Sequence, residues 1–262
     1  MQRERSAAEN PGMQHSHGRA GPIAAAVARW ALLGLCGAAQ SQSLTLHYQE
    51  RAPYSVTQGD GSVAGLVATP AAQALTQAAV AFVWARTPSQ RQLALIQEGE
   101  GLHCGVGWFR NPERAALGKF SKPLYRDKPF GALARNDSPL RNGMRSAEAL
   151  ALAGDALLVK EGYSYGPQLD RLIGAQTSAP LKTSAETPQM LRMLLAGRAG
   201  WIIVAPEELQ TLSDEAGAAG AGLRRVVFAD ISSGETRHLY CNRSVPDAWL
   251  ARVDQALAAA AR

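Results

Sequence analysis

Arg114 is the side chain whose surroundings point most directly to chemistry. It lies in residues 105–125, GVGWFRNPERAALGKFSKPLY. Asn111 can cap a helix through its side-chain oxygen, and Pro112 fits the first helical position, where no N–H is needed. Arg114 then falls in the first turn, where a cation opposes the helix dipole. A cation placed against that trend implies an anionic partner. A guanidinium offers a planar fork of donors that meets a carboxylate bidentately. The alternative is a surface arginine paired to Glu113 or Asp127.

A second candidate is the loop Glu161-Gly162-Tyr163-Ser164-Tyr165-Gly166, between an expected strand at 156–160 and a helix opened by Pro167. Such a glycine loop presents backbone N–H groups to an anion, with Gly162 and Ser164 as the lining candidates. The alternative is a plain strand-to-helix turn. The pattern is neither a dinucleotide fingerprint nor a phosphate loop with its lysine and hydroxyl. Other chemistry is sparse. His47, His103 and His238 are scattered, with no spacing that would gather a metal, so neither metal nor cofactor is expected. No Gly-x-Ser-x-Gly elbow occurs. Glu207 and Glu208 are adjacent, and adjacent helical residues do not face each other. The chain therefore reads as a binder and not an enzyme.

The elements that must position these groups alternate. Residues 44–48 alternate as a strand should, and the loop at 49–53 lies at its end, where open α/β sheets bind ligands. Gly59-Asp60-Gly61 marks a turn, and Thr69-Pro70 opens a helix. A strand at 80–84, a helix opened by Thr87-Pro88 and ended at Gly99, and a strand at 102–107 follow. Two βα units and a strand argue for a mostly parallel sheet. A strand at 130–134 crosses to a second lobe, followed by a helix at 146–152. Thr187-Pro188 opens a helix burying Met190, Leu191, Leu194 and Leu195. Strands at 223–228 and 236–241 come late, the second returning to the first lobe. Pro246 opens a last helix with Trp249, Leu250, Val253 and Leu257 on one face.

Glu113-Arg114, five intervening residues, then Phe120-Ser121, Pro123 and Tyr125 resembles the signature of bacterial extracellular solute-binding proteins of family 3. These are the periplasmic receptors of polar amino acid ABC importers. The order of strand, Pro53-Tyr54, turn, Gly65 and helix resembles the same family, as does residues 194–208, and the likeness runs from about Leu44 to the C-terminus. It implies a two-lobed α/β fold of the type-2 periplasmic binding class, with mostly parallel sheets flanked by helices and a ligand cleft between lobes. It implies that Arg114 grips a ligand carboxylate, that Lys160 faces the ligand, and that Gly162 and Ser164 line the cleft. Expected boundaries are a signal peptide at 1–39, a first lobe at 40–130 and 238–262, and a second lobe at 131–237.

Two departures bear on the ligand. Phe109 stands where the family has Ser or Thr, and Gly200 stands where it commonly has Asp. Without a carboxylate, the ammonium of an ordinary α-amino acid lacks its partner. Tyr48, Trp108, Phe109, Tyr163 and Trp201 can instead form an aromatic-lined pocket for a bulkier or flatter carboxylate; the alternative is that they pack in the core. The expected partners are a small carboxylate ligand and an ABC permease or a membrane sensor. An orphan sensor of the same fold is the first rival reading, and a periplasmic dehydratase-like enzyme the second.

Composition agrees with a soluble protein. Of 262 residues, 46% are hydrophobic and 19% charged. The net charge of +5 is unclustered, so there is no basic stripe for nucleic acid. Arg19 and Arg29 precede an apolar run at 30–36 and small residues at 37–39, which is the order of an export signal cleaved after Ala39. Lipidation at Cys36 and a start at Met13 are the alternatives there. No later segment approaches a membrane span, so the exported protein is expected to be a periplasmic monomer. An oxidising periplasm then permits Cys104 and Cys241 to pair, because both sit near strands adjoining the interlobe crossing. The alternative is two buried free thiols.

Overall fold

The computed structural model describes residues 43–152 and 154–260. The expected export signal, with Cys36 and Met13, lies outside the described residues.

The chain enters through β1 (Leu44–Tyr48), whose side chains are buried at four of five positions. A short hairpin, β2 (Val56–Thr57) and β3 (Val63–Ala64), leads to α1 (Ala68–Gln77). Gly65 makes that entry possible. Its φ is +136°, and a Cβ there would lie 2.4 Å from the Tyr54 carbonyl oxygen. β4 (Phe82–Arg86), α2 (Ser89–Glu98) and β5 (His103–Phe109) complete the two βα units. α2 ends on Gly99 in the left-handed conformation. Asn111 then caps α3 (Pro112–Leu117), its side chain accepting from the Arg114 N–H at 2.8 Å. β6 (Lys119–Phe120) and β7 (Tyr125–Arg126) follow.

The second sheet is built from β8 (Gly131–Arg135), α4 (Ser146–Leu150), β9 (Leu157–Lys160), α5 (Pro167–Gly174), β10 (Leu181–Thr183), α6 (Thr187–Leu195), β11 (Trp201–Val204), α7 (Leu209–Ala216) and β12 (Leu223–Val227). The chain returns through β13 (Thr236–Cys241) and ends in α8 (Asp247–Ala260).

The strand orders are β4-β1-β5-β13-β6, with β7 also on β13, and β10-β9-β11-β8-β12. Each sheet has a parallel half and an antiparallel half. β4, β1 and β5 run parallel, as do β10, β9 and β11. The strands entering from the crossings, β13 and β8, run antiparallel to their neighbours. This is the two-lobed α/β arrangement with helices flanking the sheets. The parallel halves aim their carboxyl ends at the cleft, the usual ligand side of such sheets.

The helices bury the faces that their apolar spacing dictates. Met190, Leu191 and Leu194 of α6 pack with Ile202, Val204 and Leu212, while Leu195 is only partly covered. Burying one such leucine contributes about 1.5–3 kcal/mol. Leu250, Val253 and Leu257 of α8 face α1 and the first sheet. Among the described residues, no helix is long and apolar enough to cross a membrane.

Candidate functional site

The cleft holds a cavity of about 60 Å³ lined by residues from both lobes. β5 and the first turn of α3 supply Val106, Gly107, Trp108, Phe109 and Arg114. The loop after β1 supplies Gln49, Arg51, Tyr54 and Ser55. The loop after β9 supplies Tyr163, Ser164 and Tyr165, and β13 supplies Arg237. Of the residues expected at the site, Trp108, Phe109, Arg114, Tyr163 and Ser164 meet here.

Arg114 is buried, with only 6% of its surface exposed. Nη1 donates to the Phe109 carbonyl at 2.8 Å, and Nη2 to the Gly162 carbonyl at 2.7 Å. The guanidinium also lies over the Trp108 ring, 4.7 Å from its centroid. No carboxylate among the described residues lies within ion-pairing distance of it. Neither Glu113 nor Asp127 pairs with it. Burial pulls its pKa below the ordinary value, with Asp170 the largest opposing charge. The arginine nevertheless keeps its proton.

The two other guanidiniums at the cavity are matched. Arg237 donates from Nε and Nη2 to the two oxygens of Asp127, both at 2.7 Å, and from Nη1 to the Gly107 carbonyl at 3.1 Å. It stacks over Tyr54 at 3.9 Å and Phe109 at 4.7 Å. Arg51 donates to both oxygens of Glu208, at 2.8 and 2.7 Å. The sequence reading missed both arginines. Arg51 lies in the loop after β1 that was read as ligand-facing, so its position was the available signal. Arg237 had none, since its partner Asp127 is 110 residues away.

The glycine loop differs from expectation. Its Tyr163, Tyr165 and Gly166 N–H groups are taken from within the chain. Asp170 of α5 accepts from the Tyr165 N–H at 2.7 Å and from the Ser164 hydroxyl, and Ser164 in turn accepts from the Gly166 N–H. Gly162 presents its carbonyl to Arg114 instead. It needs to be glycine, because its φ is +71° and a Cβ would lie 2.8 Å from Gln90 Nε2 of α2.

Besides Gly162, three expected residues lie off the cavity lining. Lys160 is buried outside it, its ammonium shared among Glu186, Gln49 and Tyr163. Tyr48 packs edge-on against Trp84 and bonds Thr57 through its hydroxyl at 2.8 Å. Trp201 belongs to the second lobe's interior, where it packs on Phe228 and donates to the Asp155 carbonyl. Gly200 also changes meaning. It sits at the start of β11 against Asp155, where a Cβ would lie 1.8 Å from the carboxylate. The cleft lies at the other end of that strand, past Val204. The lack of a side chain at Gly200 therefore has no bearing on the ligand.

Around the cavity, Tyr163 donates to Gln49 at 2.7 Å, and Tyr125 and the Lys128 N–H donate to Glu207 at 3.0 and 2.7 Å. A second chamber of about 380 Å³ opens outside the Arg51–Glu208 pair. Elsewhere in the first lobe, His47 hydrogen-bonds His103 at 2.9 Å and Thr87 at 2.8 Å. Burial, then the neighbouring His103 and Arg91, lowers the His47 pKa to about 4. Cys104 and Cys241 face each other across β5 and β13 and are bonded, their Cα atoms 4.0 Å apart. No group of three or more metal-ligating side chains occurs among the described residues.

No sequence-family model matches the chain, and no curated protein does. Solved structures do match in fold. An ancestral arginine-binding protein bound to arginine superposes with a TM-score of 0.65 at 15% identity, covering 83% of this chain and 92% of that one. The arginine-, lysine-, histidine-binding protein ArtJ from Geobacillus stearothermophilus gives 0.65 at 18%, covering 84% and 89%. A histidine kinase sensor domain with similarity to periplasmic binding proteins gives 0.64 at 18%, covering 83% and 90%. The structural neighbours are thus amino acid-binding proteins, one of them the substrate binding protein of an amino acid ABC transporter, and a sensor domain, at low identity.

Proposed function

We propose that this chain is a periplasmic solute-binding protein that captures a small carboxylate-bearing ligand between its lobes for an ABC-type importer. The observation that carries this reading is Arg114. It is a buried guanidinium at an interlobe cavity, with no carboxylate of the described chain paired to it. Burying an unpaired charge is costly, and a ligand carboxylate would offset that cost. The same cation reaches the second lobe through Gly162, so a ligand held by Arg114 favours the closed arrangement over the open one. In this reading residues 1–39 direct export, residues 40–130 and 238–262 form the first lobe, and residues 131–237 form the second. The similarity to a histidine kinase sensor domain favours a second reading, in which the closed form docks on a membrane sensor. An enzyme is not proposed, because Glu207 and Glu208 are both engaged in bonds across the cleft.

Native mass spectrometry of the purified protein tests this by looking for a carried-over carboxylic acid. Arg114→Ala should weaken binding of that acid at least tenfold, since a charge-assisted hydrogen bond contributes about 1.5–3 kcal/mol. Arg114→Lys should rescue in part, because it lacks the fork. Melting of the alanine variant should also fall, because the Phe109 and Gly162 carbonyls lose their donor. Wild-type affinity in the alanine variant by calorimetry would overturn the assignment.

A further inference from the structure

Resting on that reading, we infer that the ligand is a short-chain carboxylate that carries no amine. The charges at the cavity decide this. Its lining contains Arg51, Arg114 and Arg237 and not one Asp or Glu. Of the carboxylates around it, Glu208 is taken by Arg51 and Asp127 by Arg237, each bidentately, and Asp170 sits behind the lining, accepting from the Ser164 hydroxyl and the Tyr165 N–H. One guanidinium, Arg114, is left over, which calls for one negative charge and offers nothing to a positive one.

Three backbone acceptors are engaged as well, and the Tyr54 hydroxyl, buried at the cavity without a partner among the described residues, can donate to a carboxylate. An ammonium can be held by backbone carbonyls, but three that face this region already serve guanidiniums. Phe109 and Gly162 accept from Arg114, and Gly107 accepts from Arg237. An ammonium sharing one of these oxygens would sit beside a like charge, which is unfavourable in a poorly solvated site. Between the arginines the walls are apolar, with Val67, Val106 and Phe109 among them. They suit an alkyl tail.

The space between the lobes in this arrangement suits a short tail. A water needs about 10–15 Å³ of such space, so the cavity of about 60 Å³ holds about four to six non-hydrogen atoms. That is the size of acetate, propionate or pyruvate. Glutamine and arginine, the ligands named for structural neighbours, exceed it.

Propionate and glycine isolate the amine, because they have equal numbers of non-hydrogen atoms and the same carboxylate. Equilibrium dialysis of the full chain against labelled propionate, glycine and glutamine makes the test. Propionate should bind at least tenfold more tightly than either amino acid, and Arg114→Ala and Arg114→Lys should both weaken it. The lysine variant keeps the charge and guards against a fold defect in the alanine variant. Glycine or glutamine binding as tightly as propionate would overturn this inference and leave the solute-binding reading intact. Failure of all three to bind would also overturn it. A larger carried-over acid in native mass spectra would then preserve the receptor role, and its absence would remove that role too.

Discussion

Arg51 grips Glu208 across the cleft with two parallel hydrogen bonds, Nε to Oε1 at 2.8 Å and Nη2 to Oε2 at 2.7 Å. The two residues are 157 positions apart and belong to different lobes. The guanidinium lies between the rings of Tyr54 and Tyr163, with centroids at 5.1 and 5.4 Å. The chain thus supplies its own charges to hold the lobes together. Arg51 lines both the small inner cavity and the larger outer chamber, and Glu208 lines the outer one.

Removing one partner should loosen the closed arrangement. Glu208→Gln keeps the size of the side chain and removes its charge. Glu208 is buried, with 3% of its surface exposed, so the loss is larger than for a surface pair. About 2 kcal/mol is a reasonable scale for a charged hydrogen-bonded partner. That shifts the closed-to-open ratio about thirtyfold toward open. Small-angle scattering of the variant should show a larger radius of gyration than wild type, with secondary structure unchanged by circular dichroism. Superposable scattering curves would mean that the pair does not hold the lobes.

What was legible in the sequence was local. The Asn111 cap and the Pro112 start place Arg114 through neighbours three residues apart, and such signals survive in one dimension. The buried face of α6 follows from helical spacing in the same way. The misreadings concern residues whose role depends on a distant partner. The Ser164 loop looked open to an anion because Asp170, its occupant, is indistinguishable in sequence from any helical acid. Trp201 looked like a pocket aromatic, but its side chain points to the interior that holds Phe228. Gly200 stands where the family commonly has Asp, but it precedes β11 at the end away from the cleft. Lys160 is ligand-facing by family likeness, yet here Glu186, Gln49 and Tyr163 surround its ammonium.

The His47–His103 pair should make stability depend on pH. His47 has its pKa lowered to about 4 by burial first, then by His103 and Arg91; burial also lowers that of His103. The unfolded chain takes up these protons near pH 6.5, and the folded chain only at lower pH. Stability contributed by the neutral pair is therefore present above pH 6.5 and is lost as pH falls from there toward 4. The slope is at most about 1.4 kcal/mol per pH unit for each proton. Urea unfolding between pH 7 and pH 4.5 should show it, and His47→Gln should flatten it. An equally steep decline in that variant would place the acid sensitivity elsewhere.

The link between Cys104 and Cys241 should contribute stability in proportion to what it encloses. The two residues are 137 positions apart, and the enclosed loop contains the whole second sheet. In the chain-entropy model a loop of that length contributes about 4–5 kcal/mol, by restricting the unfolded chain. The bond joins β5 to β13, the strand on which the chain returns to the first sheet. Unfolding of the second lobe would then leave that return in register, and refolding would begin from a closed loop. Both cysteines are buried, so reductant should act slowly on the folded protein and quickly on the unfolded one. Cys104→Ala combined with Cys241→Ala should lower unfolding stability by about 2–5 kcal/mol. In oxidised protein denatured without reductant, peptide mapping after alkylation should find neither Cys104 nor Cys241 modified. Modification of both under those conditions would show the protein to be folded without the bond, and the double variant should then match wild type to within the small cost of two truncated thiols.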